Sequence, residues 1–506
     1  MPYLQDFRSL LAGIDLHWFI IISFTTGIII NRYIVWSRLR HIPGPRFASF
    51  SKVWMLRAAL SGRIPEVLND VCETYGPLAR IGPNDLICSD PDVIRRMSTA
   101  KLGYRRSKFY SSFAFNPDRD TMLSTTDEEI HTHLKTKTAA GYSGKDVENL
   151  EESIDRQLNA FIDLIERKYL STSINFRPFD FAQKVQYFTL DAITDVAFGK
   201  PFGCISQDDD MYDYIKTVDR LLPSAVLAGI MPPLLTLSRS FLVRPFLPTE
   251  KDKLGFGKMI QVARDIVAER FGESKKIRND MLGSFISHGL TQEEANSEAL
   301  LQVIAGTDTT ATATRAMLLH ITTSPTCYTA FQAAIDEGVK NGKISSPITD
   351  AEAKELPYLQ AVIKEGLRMF PVIAGLLPKT VPEGGDIISG FEVPGGTDIS
   401  LCLIAITHSK ATFGPDADIF RPERWLEVDD NDKLREMNIT ADLVFGSGKW
   451  SCSGKKIAMM EMSKVLVELF RRFDISLVNP TKPWKSFSAG AYIQSDLFVR
   501  FAKREN

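Results

Sequence analysis

Hydrophobic and polar positions change rhythm several times along this chain. Near the N-terminus there is no alternation: "LHWFIIISFTTGIII", Leu16 to Ile30, carries no acid, lysine or arginine, and "NRYIVW" continues it. The apolar run approaches the roughly 20 residues needed to cross a bilayer as a helix. Trp18, Tyr33 and Trp36 suit the membrane interface. Arg32, Arg38 and Arg40 follow the run, whereas Asp6, Arg8 and Asp15 precede it. The positive-inside rule then puts the C-terminal bulk in the cytosol. A cleaved secretory signal is the alternative, but the basic leading region and small-residue cleavage site that such a signal needs are not evident. The expected organisation is a membrane anchor over 1–36, a linker over 37–46 and a catalytic domain over 47–506. The linker is read from "HIPGPR", whose prolines cannot continue a helix.

Beyond it, "YGPLARIGPNDLICSD" reads as short strands with turn punctuation. From about 127 to 340 helical periodicity dominates, including "KVQYFTLDAITDVAFG", which stops at Gly199. "LLPSAVLAGIMPPLLTL", starting at Leu221, is apolar and broken by prolines; it reads either as core or as a patch lying on the membrane. The longest helix starts at the capping box "TQEE", Thr291 to Glu294, runs to about Ile321 and stops at "SP". Residues 380–405 alternate as short strands. After residue 454, Ile457, Ala458, Met462, Val465, Leu466, Leu469 and Phe473 recur at helical spacing. The fold class expected is mainly α with small β-sheets.

Composition adds bounds. The 506 residues carry a net charge near −2, which gives no reason to expect nucleic acid. Six cysteines are scattered without a CxxC pair, so neither a disulfide framework nor structural zinc is expected.

Four short stretches carry candidate chemistry. "AGTDTT", Ala305 to Thr310, places glycine and threonines inside the longest helix, where glycine costs about 1 kcal/mol. Asp308 is an acid beside a hydroxyl in mid-helix. It marks either a functional site or a surface stripe. "KEGLRMFP" puts Glu365 and Arg368 on one helix face. "FGPDADIFRPERW" supplies Arg424, which could join them. "FGSGKWSCSG" sets Cys452 in a glycine-rich turn at a helix N-terminus, a position that lowers a thiol's pKa and favours thiolate. A lone thiolate there is either a nucleophile or one axial ligand of a metal held mainly by something else.

Taken in order, the glycine–acid–threonine helix, ExxR, PERW and FxxGxxxCxG resemble the cytochrome P-450 superfamily of haem-thiolate monooxygenases, over the chain from the proline-rich linker onward. The anchor resembles the microsomal branch, and "GFEVPGGT" with the PERW region looks fungal, near the pisatin-demethylase-like group. The resemblance implies the P-450 fold and haem b with Cys452 as the proximal ligand. Phe445, Gly446 and Gly454 would lie near that sulfur. On the distal side Asp308 and Thr309 would deliver protons, while Ala305 and Gly306 would leave room for O2 and substrate. Glu365, Arg368 and Arg424 would form a structural triad.

The chain departs from the family at the haem propionates. Trp450 replaces an arginine two residues before the cysteine, Lys379 stands where another arginine is usual, and "HTHLK" gives His131 and Lys135 in place of a third. Lys135 and Lys379 are therefore expected to hold the propionates, helped by His131 and the Trp450 N–H, with Lys449 pointing to solvent. The resemblance further implies an endoplasmic reticulum location and a separate NADPH-dependent flavoprotein reductase, docking on Lys449, Lys455 and Lys456. A lipophilic substrate would sit among 104–123, 205–240, Val372–Leu377 and Ser486–Ile493. A haem-thiolate isomerase or dehydratase working without a reductase and a non-catalytic haem sensor are the alternatives.

Overall fold

The long helix is built as its sequence dictates. The Thr291 hydroxyl accepts from the N–H of Glu294, and the Glu294 carboxylate accepts from the N–H of Thr291 at 2.8 Å. In this computed structural model the helix runs Gln292–Thr323, ending before Ser324 and Pro325. The structure describes residues 16–504 apart from 115–118, 239, 241–248, 250, 274–275 and 277. The acidic and basic residues read ahead of the anchor lie outside the described residues, as does part of the 104–123 pocket loop.

Six helices frame the site, and a seventh, α1, precedes them. They are α1 (Leu16–Arg38), α2 (Glu128–Ser143), α3 (Phe181–Phe198), α4 (Tyr214–Ile230), α5 (Gln292–Thr323), α6 (Pro357–Met369) and α7 (Lys455–Arg472). α3 ends at Gly199, whose φ of 66° is the left-handed cap the sequence predicts. α5 is buried on nearly every face and packs against α3, α6 and α7 in the main core.

A five-stranded sheet lies beside the helices, with strands β1 (Leu78–Arg80), β2 (Asp85–Cys88), β3 (Arg105–Arg106), β4 (Lys379–Thr380) and β5 (Asp398–Leu401) in the order β1-β2-β5-β4-β3. The β3–β4 register sets Arg106 directly opposite Lys379. A hairpin of β6 (Lys485–Ser488) and β7 (Tyr492–Ser495) packs by its second strand on α3 and α5.

α1 is apolar and exposed along its span, as an anchor helix would be outside a membrane. It continues two residues past the expected boundary at 36. The segment that follows is clamped to the domain rather than standing free: Leu39 and Ile42 are buried, Arg80 Nη1 donates to the Trp36 carbonyl at 3.0 Å, and the Arg80 N–H donates to the Pro43 carbonyl at 2.7 Å.

Candidate functional site

Cys452 lies three residues before the start of α7 and is the one exposed cysteine of the six; the other five are buried. Its turn needs its glycines. Gly446 (φ 71°) and Gly448 (φ 54°) take left-handed backbone, and a Cβ on Gly448 would sit 2.4 Å from the Ser98 carbonyl oxygen. The Cys452 N–H donates to the Phe445 carbonyl at 2.7 Å. Lys135 of α2 ties the turn from outside, donating from Nζ to the carbonyls of Lys449 and Ser451, each at 2.9 Å. The lowered thiol pKa expected from the helix N-terminus does not emerge. Burial pushes the thiol up, and the N–H groups of Gly454 and Lys455 with the charges of Lys135 and Lys455 pull it down only in part. A Cβ added at Gly454 would touch nothing.

Beside this turn the chain gathers cations. Arg106 and Lys379 face each other across β3 and β4, and Lys135 and Lys449 close in from α2 and the cysteine turn. Like charges directly opposed in a sheet are unfavourable. Glu128 is set among them, pairing with Lys449 at 3.1 Å and accepting from the Trp450 indole at 3.2 Å, and Asp398 and Glu298 lie near Lys379 and Arg106. Lys379 is buried, donates to the Tyr110 hydroxyl at 2.7 Å and lies 4.8 Å over the Trp450 ring. Burial first, then Arg106 and Lys449, push its ammonium down to about 7. His131 Nε2 accepts from Arg106 at 2.9 Å, which places the ring proton on Nδ1, and that buried atom has no partner. Burial and the surrounding cations push His131 down to about 3. An excess of buried positive charge with an orphaned N–H, next to an exposed sulfur, fits a group that carries carboxylates and a thiophilic metal.

One expectation changes here, and one residue was missed. Lys449 does not point to solvent: its Nζ turns inward to Glu128 and to the Tyr104 carbonyl at 2.8 Å. Lys455 and Lys456 remain at the surface, on the rim of a depression of about 510 Å3 that Cys452, Ser451, Lys135 and Lys354 also line. Arg106 was missed. It lies 273 residues from its strand partner, and nothing local in "GYRRSKFY" marks it.

The "AGTDTT" stretch divides between two tasks. Ala305 is exposed although it lies within a buried helix, and Thr309 is half-buried, its hydroxyl donating to the Ala305 carbonyl at 2.8 Å. Gly306 does not leave room for O2 and substrate. A Cβ there would meet Ile193 Cγ1 at 2.6 Å, so the glycine lets α3 and α5 approach. Asp308 turns away from Thr309, about 100° round the helix, and accepts from Gln186 of α3 and from the Tyr214 hydroxyl of α4 at 3.2 Å. Burial, then the charge of Asp219, push its carboxyl up to about 7.

The four predicted pocket walls meet. A Cβ on Gly229 of α4 would lie 2.6 Å from Phe109, and one on Gly490 would lie 3.6 Å from Val226. The Ala374 N–H donates to the Gly490 carbonyl at 3.1 Å. Phe109, Val226, Ile230, Leu376 and Ala489 share one apolar cluster.

Glu365, Arg368 and Arg424 are fully buried together. Glu365 accepts from Arg368 Nη2 at 2.8 Å and from Arg424 Nε at 2.9 Å. The Trp425 indole donates to the same carboxylate at 2.9 Å, which gives PERW a second contributor that sequence reasoning passed over.

Comparison with known proteins agrees with this geometry. The profile of the cytochrome P-450 family matches residues 24–498. The chain is 42% identical over 502 residues to cytochrome P-450 monooxygenase ABA1 of Pyricularia oryzae, covering 96% of this chain and 97% of that one. It is 40% identical over 475 residues to cytochrome P-450 monooxygenase aba1 of Botryotinia fuckeliana, covering 92% of each. Pisatin demethylase of Fusarium vanettenii is similar at 29% identity over 496 residues, covering 96% of this chain and 90% of the enzyme. With the P-450 profile spanning nearly its whole length and relatives at 40% identity or more covering it almost completely, the chain belongs to the cytochrome P-450 family of haem-thiolate monooxygenases.

Proposed function

We propose that this chain is a membrane-anchored monooxygenase of lipophilic secondary metabolites, in the fungal manner, and that Cys452 is its haem ligand. The observation that carries the reading is the exposed Cys452 thiol set beside a cluster of Arg106, Lys135, Lys379 and Lys449 whose charge Glu128 offsets only in part. Haem b, when bound, supplies the iron at which O2 is reduced and one of its atoms is passed to substrate; two electrons and two protons balance the step, with water as the second product.

The residues do the rest. Cys452 would hold the iron, and the Phe445 carbonyl fixes the backbone of its turn. Arg106, Lys379 and the His131 Nδ1–H would hold the propionates, and Lys135 secures the turn. Ala305 would open the distal side, where the Thr309 hydroxyl would hydrogen-bond the reacting oxygen, and Asp308, which faces α3 and α4, would supply protons by turning from those partners toward it. Phe109, Val226, Leu376 and Ala489 exclude water and favour an apolar substrate. Electrons come from a separate NADPH-dependent flavoprotein reductase docked at Lys455 and Lys456. α1 anchors the protein in the endoplasmic reticulum membrane with the domain in the cytosol. Leu234 and Leu237, exposed near α4, rest on that membrane.

Reduced, carbon-monoxide-bound protein should show the strongly red-shifted Soret band of thiolate-ligated haem, and Cys452→Ser should abolish it. An unchanged band in that variant removes Cys452 as the ligand. Turnover that persists without NADPH and reductase overturns the monooxygenase reading.

A further inference from the structure

The five-stranded sheet carries polar groups on a face that should be apolar. Successive residues of a strand face opposite sides. Along β5, Ile399 and Leu401 join an apolar cluster on one side, while Asp398 and Ser400 face the other. On that second side Ile87 of β2 belongs to the same cluster as the pocket wall. Asp85 of β2 stands opposite Asp398 in register. Two carboxyl groups and a hydroxyl therefore share a face that packs against the wall of the pocket. With Lys52 and Ser107 they line a cavity of about 50 Å3. Its other side is formed by Phe109, Ile230 and Leu376, which also belong to the apolar wall, so the cavity borders the substrate pocket. It has room for a hydroxyl-sized group rather than for a whole ligand.

The two carboxyl groups differ in what they already hold. Asp398 is satisfied: its Oδ2 accepts from the Ser107 hydroxyl and its Oδ1 from the Thr380 hydroxyl, both at 2.6 Å. Asp85 is not. Its Oδ1 accepts from Lys52 Nζ at 3.0 Å, while its Oδ2 is buried and has no partner among the described residues. Gly82 leaves that oxygen its space, because a Cβ there would lie 2.4 Å from it. The Ser400 hydroxyl likewise makes no hydrogen bond among the described residues. Asp85 is 8% exposed and Ser400 3%, and a polar atom left unpaired at such depth is costly. The cavity thus holds an acceptor that needs a donor beside a hydroxyl with a proton to give. A ligand hydroxyl answers both, donating to Asp85 Oδ2 and accepting from Ser400 or from a spare Lys52 proton. A carbonyl or ether only accepts and leaves Asp85 Oδ2 unanswered. A carboxylate would add a third anion beside Asp85 and Asp398. We propose that this cavity is a hydroxyl-binding subsite and that the substrates of this chain are lipophilic alcohols, with the hydrocarbon in the apolar pocket and the hydroxyl between Asp85 and Ser400. The proposal rests on the reading of the pocket as one for lipophilic substrates, and narrows it.

The test uses the full-length, haem-loaded protein in lipid nanodiscs and reads binding by the spin-state shift of the iron. The probes are straight-chain 1-alcohols of graded length, each paired with the 1-chloroalkane of the same chain, which fills similar space and donates nothing. The alcohol-to-chloride affinity ratio is compared between proteins, which cancels partitioning into lipid. In Asp85→Ala the ratio should fall about 10- to 100-fold, as loss of a hydrogen bond to a charged group predicts. In Ser400→Ala it should fall about two- to tenfold, and chloride binding should be unchanged in both variants. Ser400→Ala removes a hydroxyl that holds nothing else in the fold, so the test survives poor folding of Asp85→Ala. Unchanged ratios, with both ligand classes still shifting the spin state, overturn the subsite and leave a water-sized cavity beside a lipophilic pocket. Equal loss of alcohol and chloride binding in Asp85→Ala overturns it too, because Asp85 then shapes the pocket without meeting the hydroxyl. If no alcohol or chloride of any length shifts the spin state, the lipophilic reading falls, and this proposal with it.

Discussion

Lys379→Met should move two measurements in opposite directions. Lys379 is buried, sits opposite Arg106 in the sheet and is approached by Lys449, and its ammonium is pushed from 10.5 down to about 7. At 1.36 kcal/mol per pH unit, holding that group charged in the haem-free fold costs ~5 kcal/mol. The cost is fully present below pH 7. It shrinks as pH rises and disappears near 10.5, because the unfolded chain keeps its proton over that window while the folded chain loses it. The methionine variant carries no such cost, so the haem-free protein should gain several kcal/mol at pH 7 and little at pH 10, read by urea unfolding. The haem-bound protein should behave oppositely. Losing one partner of a buried ion pair costs about 3–5 kcal/mol, or roughly two to four orders of magnitude in haem dissociation, followed as transfer to excess apomyoglobin. Propionates favour the charged lysine, so haem retention in the unsubstituted protein should weaken as pH climbs above 7, and the variant should lose that dependence. A haem-free variant that is less stable than the parent, with haem transfer within threefold of it, refutes the assignment of this cluster to the propionates.

Thr309→Ala should retain haem and substrate binding but lower product formed per NADPH severalfold, with peroxide making up the difference; an unchanged ratio removes Thr309 from proton delivery. Glu365→Gln leaves the Arg368 and Arg424 guanidinium groups buried without their anion, and should cost about 3–5 kcal/mol in unfolding experiments. Gly306→Ala should cost about 1–3 kcal/mol through overlap with Ile193, and Ile193→Ala should recover most of that loss. If Gly306→Ala instead leaves stability unchanged and impairs only turnover, the glycine serves the pocket rather than the crossing of α3 and α5.

Features written in local chemistry were legible in the sequence. The capping box at Thr291, the stop at Gly199 and the strand material around residues 78–88 all follow from neighbouring residues, and each stands where expected. Order along the chain was legible too, since four motifs in sequence identify a family that none of them identifies alone. Contacts between distant segments were not. Arg106 acquires its meaning from a two-residue strand paired with Lys379, and a strand that short leaves no alternation to read. The inward turn of Lys449 depends on Glu128, at the start of another helix. Gly306 looked like space for a ligand because its neighbour Ile193 comes from a helix more than a hundred residues earlier. The thiol of Cys452 was read from the helix start alone, whereas desolvation, which depends on the whole fold, outweighs it.

The clamp that joins α1 to the domain has a mechanical consequence. A free tether would transmit only tension and let the domain swivel. Here the last turn of the helix is held by Arg80 at Trp36 and by the bond from Arg38 to the Gly395 carbonyl, with Leu39 and Ile42 sunk in the domain. Such a joint resists bending and torsion, so α1 acts as a mast rather than a leash. The attitude of the helix sets the attitude of the whole body. Inserting a single residue between Trp36 and Leu39 would rotate the mast by about 100° relative to its footing, reorienting the domain while leaving every residue of the pocket unchanged.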